Sequence, residues 1–182
     1  MSKAKIIQID FGKNYVDLDH DPENADWLHE VRKPKYKYRV FFTDLIERYN
    51  GLFLNYIKVK PQLKSFIAFG AGRGLKYAWS FVEKKKNVQI ELYIDVGDRE
   101  ENLKIFDYLF NRRIEIENEL SELSWESLPG KRACRVALCR GGTIAKIENL
   151  NDDEKKIIGD WFVEVTPKFI YVFSKYIDQL PK

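Results

Sequence analysis

Apolar and polar residues change period several times along the chain, and each change marks an element. Ile7, Ile9 and Phe11 share one parity and lead through Gly12-Lys13-Asn14 into Tyr15-Val16-Asp17-Leu18, the pattern of a short hairpin. Asp21-Pro22 supplies an N-cap and a first-turn proline for a brief helix carrying Trp27 and Leu28. After Pro34 the period becomes helical, with Tyr38, Phe41, Phe42, Leu45 and Tyr49 on one stripe and Gly51 placed to end the helix as a C′ glycine. Alternation then returns in Ser65 to Phe69, Lys76 to Glu83 and Val88 to Val96, which read as an antiparallel meander with Lys84-Lys85-Lys86-Asn87 as its second turn. Asp98 to Leu120 reads as one long helix, acidic in its first turn, burying Leu103, Phe106, Phe110 and Ile114. Pro129-Gly130 marks a turn before a fourth strand, Lys131 to Leu138. A capping box from Asn151 to Glu154 opens a last helix that buries Ile158, Trp161, Phe162, Val165, Phe169 and Phe173, and Pro167 should kink or divide it.

This order predicts an α+β fold, an antiparallel sheet of about four strands flanked by helices in the order α-β-β-β-α-β-α. Residues 1–31 read as an N-terminal extension, hairpin plus short helix, and residues 32–182 as a single domain. Composition adds that 182 residues with 45% apolar content can build a core, which excludes global disorder. The apolar runs are far shorter than the roughly 20 residues that cross a bilayer, and Met1 to Lys5 lacks a signal-peptide core, so a soluble cytoplasmic protein without membrane partners is expected. Cys134 and Cys139 are too few for a disulfide framework; on one strand they face opposite sides and read as reduced, packed thiols.

The net charge of +3 is too small to demand a polyanionic partner, but its distribution changes the picture. From Asp17 to Glu30 there are six acids and no Lys or Arg, followed by Arg32, Lys33, Lys35, Lys37 and Arg39 interleaved with Tyr36 and Tyr38. Lysines and arginines neutralise phosphates and tyrosines stack on bases, so this segment is the chain's best nucleic-acid footprint. The alternative is that the acidic run lies against the basic one and the charges cancel within the fold.

Gly70-Ala71-Gly72-Arg73-Gly74, Glu91-Leu92-Tyr93-Ile94-Asp95 with Gly97-Asp98 and Glu100-Glu101-Asn102, Ile105-Phe106-Asp107, Trp125 and Lys131-Arg132-Ala133-Cys134-Arg135 form a distinctive set. Through them the chain from about Arg32 to Asp178 resembles the bacterial and archaeal domain-of-unknown-function family DUF4268. The resemblance implies a fold and a setting more than a reaction. Family members often follow a restriction-type nuclease half in larger proteins and occur near defence genes, which points to DNA processing or defence and to a nuclease-like protein partner. Against that pattern, residues 1–31 read only as a short extension.

The element order also resembles the core of PD-(D/E)XK nucleases, where carboxylates hold a divalent metal and a lysine positions the attacking water. Here the third strand reads Glu91-Leu92-Tyr93, with tyrosine where the lysine belongs, and Tyr77 to Phe81 contains no Asp. A noncatalytic nucleic-acid-associated or partner-binding domain without cofactor is therefore preferred. The rival is a Mg²⁺-dependent nuclease with Glu91 and Asp95 as ligands and Lys131 or Arg135 near the scissile phosphate. A third reading is a structural subunit or homo-oligomer that docks through its apolar C-terminal helix.

Strand parity offers a further surface. Glu91, Tyr93 and Asp95 share one face of their strand, and with Trp79 and Arg135 they could converge on a nucleotide or single strand, or Glu91 could pair internally with Arg132 or Arg135 beneath a helix. Gly70 to Gly74 invites a phosphate-loop reading with Arg73 as a contact, but it leads into a strand and reads better as a tight turn. Asp17 to Asp21 lacks the glycine and distal glutamate of a calcium loop, and neither His20 nor His29 has an evident orienting partner for base chemistry.

Overall fold

The computed structural model describes residues 34–54, 57–141 and 146–180. The hairpin and short helix expected in residues 1–31, with the Asp17–Asp21 acids, His20 and His29, lie outside the described residues, as do Arg32 and Lys33. Helix α1 spans Pro34–Leu52, strands β1 and β2 span Phe66–Gly72 and Leu75–Val82, and β3 spans Asn87–Ile94. Helices α2 (Arg99–Phe110) and α3 (Arg113–Leu120) follow, then β4 (Ser124–Glu126), β5 (Cys134–Arg140) and the long α4 (Asp152–Ile177). The five strands form one antiparallel sheet in the order β1-β2-β3-β5-β4, an α+β architecture as expected, with one more strand. β4 holds only Ser-Trp-Glu, too short for alternation to show in the sequence.

Register decides what the sheet presents to each side, because residues directly opposite one another in antiparallel strands point to the same face. Trp79 pairs with Ile67 and Ile90, and Ile90 with Leu138, while Tyr77 pairs with Phe69 and Leu92, and Leu92 with Val136. These side chains make an apolar face. Phe41, Phe42 and Tyr49 of α1 and Phe162 and Phe169 of α4 pack on it through edge and tilted ring contacts to Phe81, Trp79 and Tyr77. Phe106 and Phe110 of α2 close over Trp125 on the same side.

Trp79 sits at the centre of this layer with no exposed surface. Its Nε1 donates to the Thr166 hydroxyl at 2.8 Å, and that hydroxyl donates to the Phe162 carbonyl at 2.6 Å, so the one polar atom of the indole is satisfied.

Three expectations need correction. The single helix Asp98 to Leu120 breaks at Asn111 and Arg112, and the break resets the helical phase. Ile114, expected on the buried stripe, is 69% exposed, while Ile116 and Leu120 point inward. Of the two outcomes expected at Pro167, a kink or a division, division does not occur: α4 is continuous, with Phe162, Thr166, Phe169 and Phe173 buried on both sides of the proline. Gly51 lies within the last turn of α1, which runs on to Leu52. Other expectations hold. Asn151 and Glu154 form the capping box, with reciprocal bonds of 2.9 and 2.8 Å. Cys134 and Cys139 lie on opposite faces of β5 as expected, with Cys134 buried, but Cys139 is exposed where a packed thiol was expected.

Replacing Thr166 by Val leaves the Trp79 N–H buried without an acceptor and should lower stability by about 1–3 kcal/mol. Urea unfolding followed by tryptophan fluorescence checks this: the midpoint falls at unchanged slope. An unchanged midpoint would mean that the indole bond contributes nothing.

Candidate functional site

The other face of the sheet is polar. Opposite pairing puts Ser80, Gln89 and Cys139 in one row, Ala78, Glu91, Ala137 and Ser124 in the next, and Tyr93, Arg135 and Glu126 in a third. Glu91 is only 7% exposed and Gln89 is fully buried. The Gln89 amide donates to the Glu91 carboxylate, the Arg135 Nε lies 3.4 Å from Glu91 Oε2, and the Cys139 thiol donates to Gln89 Oε1 at 3.6 Å. From the turn after β2, Lys85 reaches across this face and donates to Glu126 at 2.6 Å, where the Ser124 hydroxyl also bonds at 3.0 Å. Two cations and two carboxylates therefore neutralise one another.

Burial pushes the Glu91 carboxyl above its usual range, against the pull of Arg135 and the hydrogen bonds of Gln89 and Ser80. Burial also acts on Glu126, but hydrogen bonds from Lys85 and Ser124 win and hold that carboxyl low.

The residues expected to converge are divided between the two faces. Glu91, Tyr93 and Arg135 share the polar face as expected, and Glu91 makes the internal ion pair with Arg135. Trp79 does not join them: it pairs with Ile90 rather than Glu91, so it faces the helices and offers no surface for stacking. Helices α1, α2 and α4 pack on the apolar rows, while Glu91 is buried on the other face.

Asp95 is four residues from Glu91, about 13 Å along a strand at the usual rise. Arg132 binds it with two parallel bonds, 2.7 Å from Nε and 2.9 Å from an Nη, and these hydrogen bonds hold the Asp95 carboxyl below its ordinary value. The two carboxylates are thus apart and separately paired, and no group of three or more His, Cys, Asp or Glu is placed to hold a metal among the described residues. Lys131 lies in the exposed loop before β5 rather than on it, so it does not share a strand face with Arg135.

Arg73 and Gly74 form the two-residue turn between β1 and β2, both with positive φ (51° and 80°), as a type I′ hairpin requires. The Arg73 guanidinium donates to the Asp178 carbonyl at 3.4 Å. This turn, Asp95, Lys131 and Arg132 all belong to one end of the sheet.

The opposite end is basic. α1 begins there: the Tyr38 ring packs on Phe81, its hydroxyl donates to Glu83 at 3.3 Å, and Lys37 donates to the Glu148 carbonyl at 3.4 Å. Tyr38 is consequently buried, and burial with the nearby Glu83 pushes its hydroxyl up to about 12, so it cannot stack on a base. Tyr36 is half-buried, while Lys35 and Arg39 are exposed. The same end carries Lys84 and Lys86 of the β2–β3 turn, where Lys86 has a left-handed φ of 50°, and Arg140 opposite Val88. Lys146 adds a further exposed cation before the turn that Lys37 touches. These cations come from segments far apart in the chain, so only the fold places them at the same end of the sheet.

Several residues behind the family resemblance do structural work at the other end. Asp98 caps α2 through the Glu101 amide at 2.9 Å, and buried Asn102 accepts from the Val96 amide at 2.8 Å and donates to the Arg132 carbonyl at 3.1 Å. Arg99 bridges the carbonyls of Ser127 and Ala133 at 2.8 and 3.2 Å. Nothing in the sequence pattern marks Asn102 or Gln89 as a buried hydrogen-bonding group, since an isolated amide carries no periodic signal. No helix among the described residues is long and apolar enough to cross a membrane. The family model described as a domain of unknown function (DUF4268) matches residues 37–177. No curated protein and no solved structure matches the chain.

Removing the guanidinium in Arg135→Ala strands the buried Glu91 charge and should cost about 3–5 kcal/mol at neutral pH. A carboxyl whose folded pKa is raised binds its proton more tightly in the folded state, so its contribution to stability falls as pH rises above about 4.5, the ordinary glutamate value, and through the raised one. The Arg135→Ala deficit should therefore shrink on acidification, and Glu91→Gln should flatten the decline in stability above that pH. Denaturation midpoints measured across pH test both; parallel curves for all three proteins would contradict the assignment.

Proposed function

We propose that this chain, which belongs to the DUF4268 family of unknown function, is a noncatalytic nucleic-acid-binding domain that engages phosphates through the basic end of its sheet. The carrying observation is the juxtaposition of Lys35 and Arg39 on α1 with Lys84 and Lys86 on the β2–β3 turn and Arg140 on β5. Cations gathered on one edge neutralise successive phosphates and release counterions, which gives affinity with little dependence on sequence. Of the acids nearby, Glu126 is neutralised by Lys85, while Glu83 accepts from the neutral Tyr38 hydroxyl and keeps its charge among the more numerous cations. The family resemblance supplies the setting, DNA processing or defence in the cytoplasm, with a nuclease-like protein as the partner that would supply catalysis.

The arrangement of acids favours this reading over a Mg²⁺-dependent nuclease. Glu91 and Asp95 are each committed to an arginine, and neither is free to take a metal without breaking its pair. A self-associating structural subunit has less support, since most apolar residues of α4 are packed on the sheet and Ile157 and Tyr171, its exposed ones, stand apart from each other along the helix.

In fluorescence anisotropy at low salt, wild type should bind a labelled oligonucleotide, and Lys35→Glu with Arg39→Glu should weaken it. The slope of log affinity against log salt should fall by roughly 0.7–0.9 for each phosphate that is no longer neutralised. Absence of binding by the wild-type chain at low ionic strength would sink the proposal.

A further inference from the structure

The basic end carries an exposed aromatic ring that no sequence motif marks. Phe66, the first residue of β1, is 44% exposed, although β1 lies beside the core strands. It pairs with Ser80, so its ring stands on the polar face, in the row of Gln89 and Cys139 and opposite the face on which α1, α2 and α4 pack. Its neighbour Ile67, on the opposite face, is buried, as the alternation of an edge strand requires.

A lysine lies over this ring. The Lys64 ammonium lies 5.6 Å from the Phe66 centroid. The Phe81 amide donates to the Ser65 carbonyl at 2.8 Å, which brings Lys64 level with the end of β2, next to the turn that carries Lys84 and Lys86. An accessible aromatic face bordered by cations combines the two elements of single-strand recognition, a platform for an unpaired base and positive charge for the phosphates on either side. A duplex cannot use the platform, because its bases are already stacked.

From this geometry we infer that the ligand of the basic end is single-stranded nucleic acid, with Phe66 stacking one base and Lys64 and Lys84 holding the adjacent phosphates. The inference rests on the nucleic-acid reading above and adds to it the strandedness of the ligand and the residue that selects it. It also restores, at a different residue, the stacking contact expected of Trp79. Tyr93 lies two rows away on the same face beside the Glu91–Arg135 pair and is not required.

The test compares a labelled single-stranded DNA oligonucleotide with the duplex of the same sequence, in wild type, Phe66→Ala, Phe66→Trp and the Lys35→Glu/Arg39→Glu protein. Wild type should prefer the single strand. Phe66→Ala should weaken single-strand binding by about fivefold to a hundredfold and leave the duplex unchanged, while Phe66→Trp keeps the preference. The double charge reversal should weaken both ligands. Equal binding of the two ligands by wild type, or single-strand binding unchanged in Phe66→Ala, overturns the stacking site while leaving the phosphate-binding reading standing. Loss of all binding in wild type would instead remove that reading and this inference with it. Phe66 is exposed, so both variants should fold, and an unchanged unfolding midpoint verifies it.

Discussion

The register of β3 between β2 and β5 determines what every other part of the molecule can do. With Ile90 opposite Trp79 and Leu138, one face of the sheet becomes a continuous apolar surface, and burying each large side chain there contributes about 1.5–3 kcal/mol. Helices α1, α2 and α4 pack on that face because burying their apolar stripes there offsets the cost of ordering them. A shift of one residue in β3 would exchange Ile90 for Glu91 beneath α4, placing a carboxylate against Phe162 and Phe169. The indole bond to Thr166 reinforces the same choice, since Trp79 has its one donor satisfied only when it points at α4.

The remaining polar groups divide into two kinds by what surrounds them. On the polar face, charges answer one another: Glu91 with Arg135, Glu126 with Lys85, and Asp95 with Arg132 at the strand's end. The buried Glu91–Arg135 pair contributes little net stability but is costly to break, which makes it a poor candidate for ligand or proton exchange, while the two more exposed pairs contribute little either way. At the start of α1 and the β2–β3 turn, exposed cations gather without an equal number of acids. There, exposed positive charge meets the accessible ring of Phe66, which supports the reading proposed above for the edge of the sheet.

Much of the layout was legible in the chain because long periodic stretches state their own structure. The stripe from Tyr38 to Tyr49, the alternation from Val88 to Ile94 and the capping box at Asn151 each depend on neighbours a few positions away, and each formed as read. What escaped depends on pairing between distant segments. Parity gave Trp79 two equivalent faces, and only the opposition of Ala78, not Trp79, to Glu91 settles which one it takes. Ile114 kept a helical spacing that a two-residue break at Asn111 and Arg112 cancels. Phe66 lies within a stretch that reads simply as strand, and only its place on the edge strand, on the face opposite α1 and α4, shows that it is exposed. The basic segment was visible as a run, yet its extension by Lys64, Lys84 and Arg140 belongs to the sheet and not to any stretch of sequence.

Amide hydrogen exchange of the intact protein, with and without a saturating single-stranded oligonucleotide at low salt, would show which end of the sheet meets the ligand. Protection should rise in residues 35–39, 64–67 and 83–86, with the Asp95–Arg132 end and the rows around Glu91 unchanged. Protection centred on Glu91, Tyr93 and Asp95, with none at the basic end, would contradict binding through the basic edge.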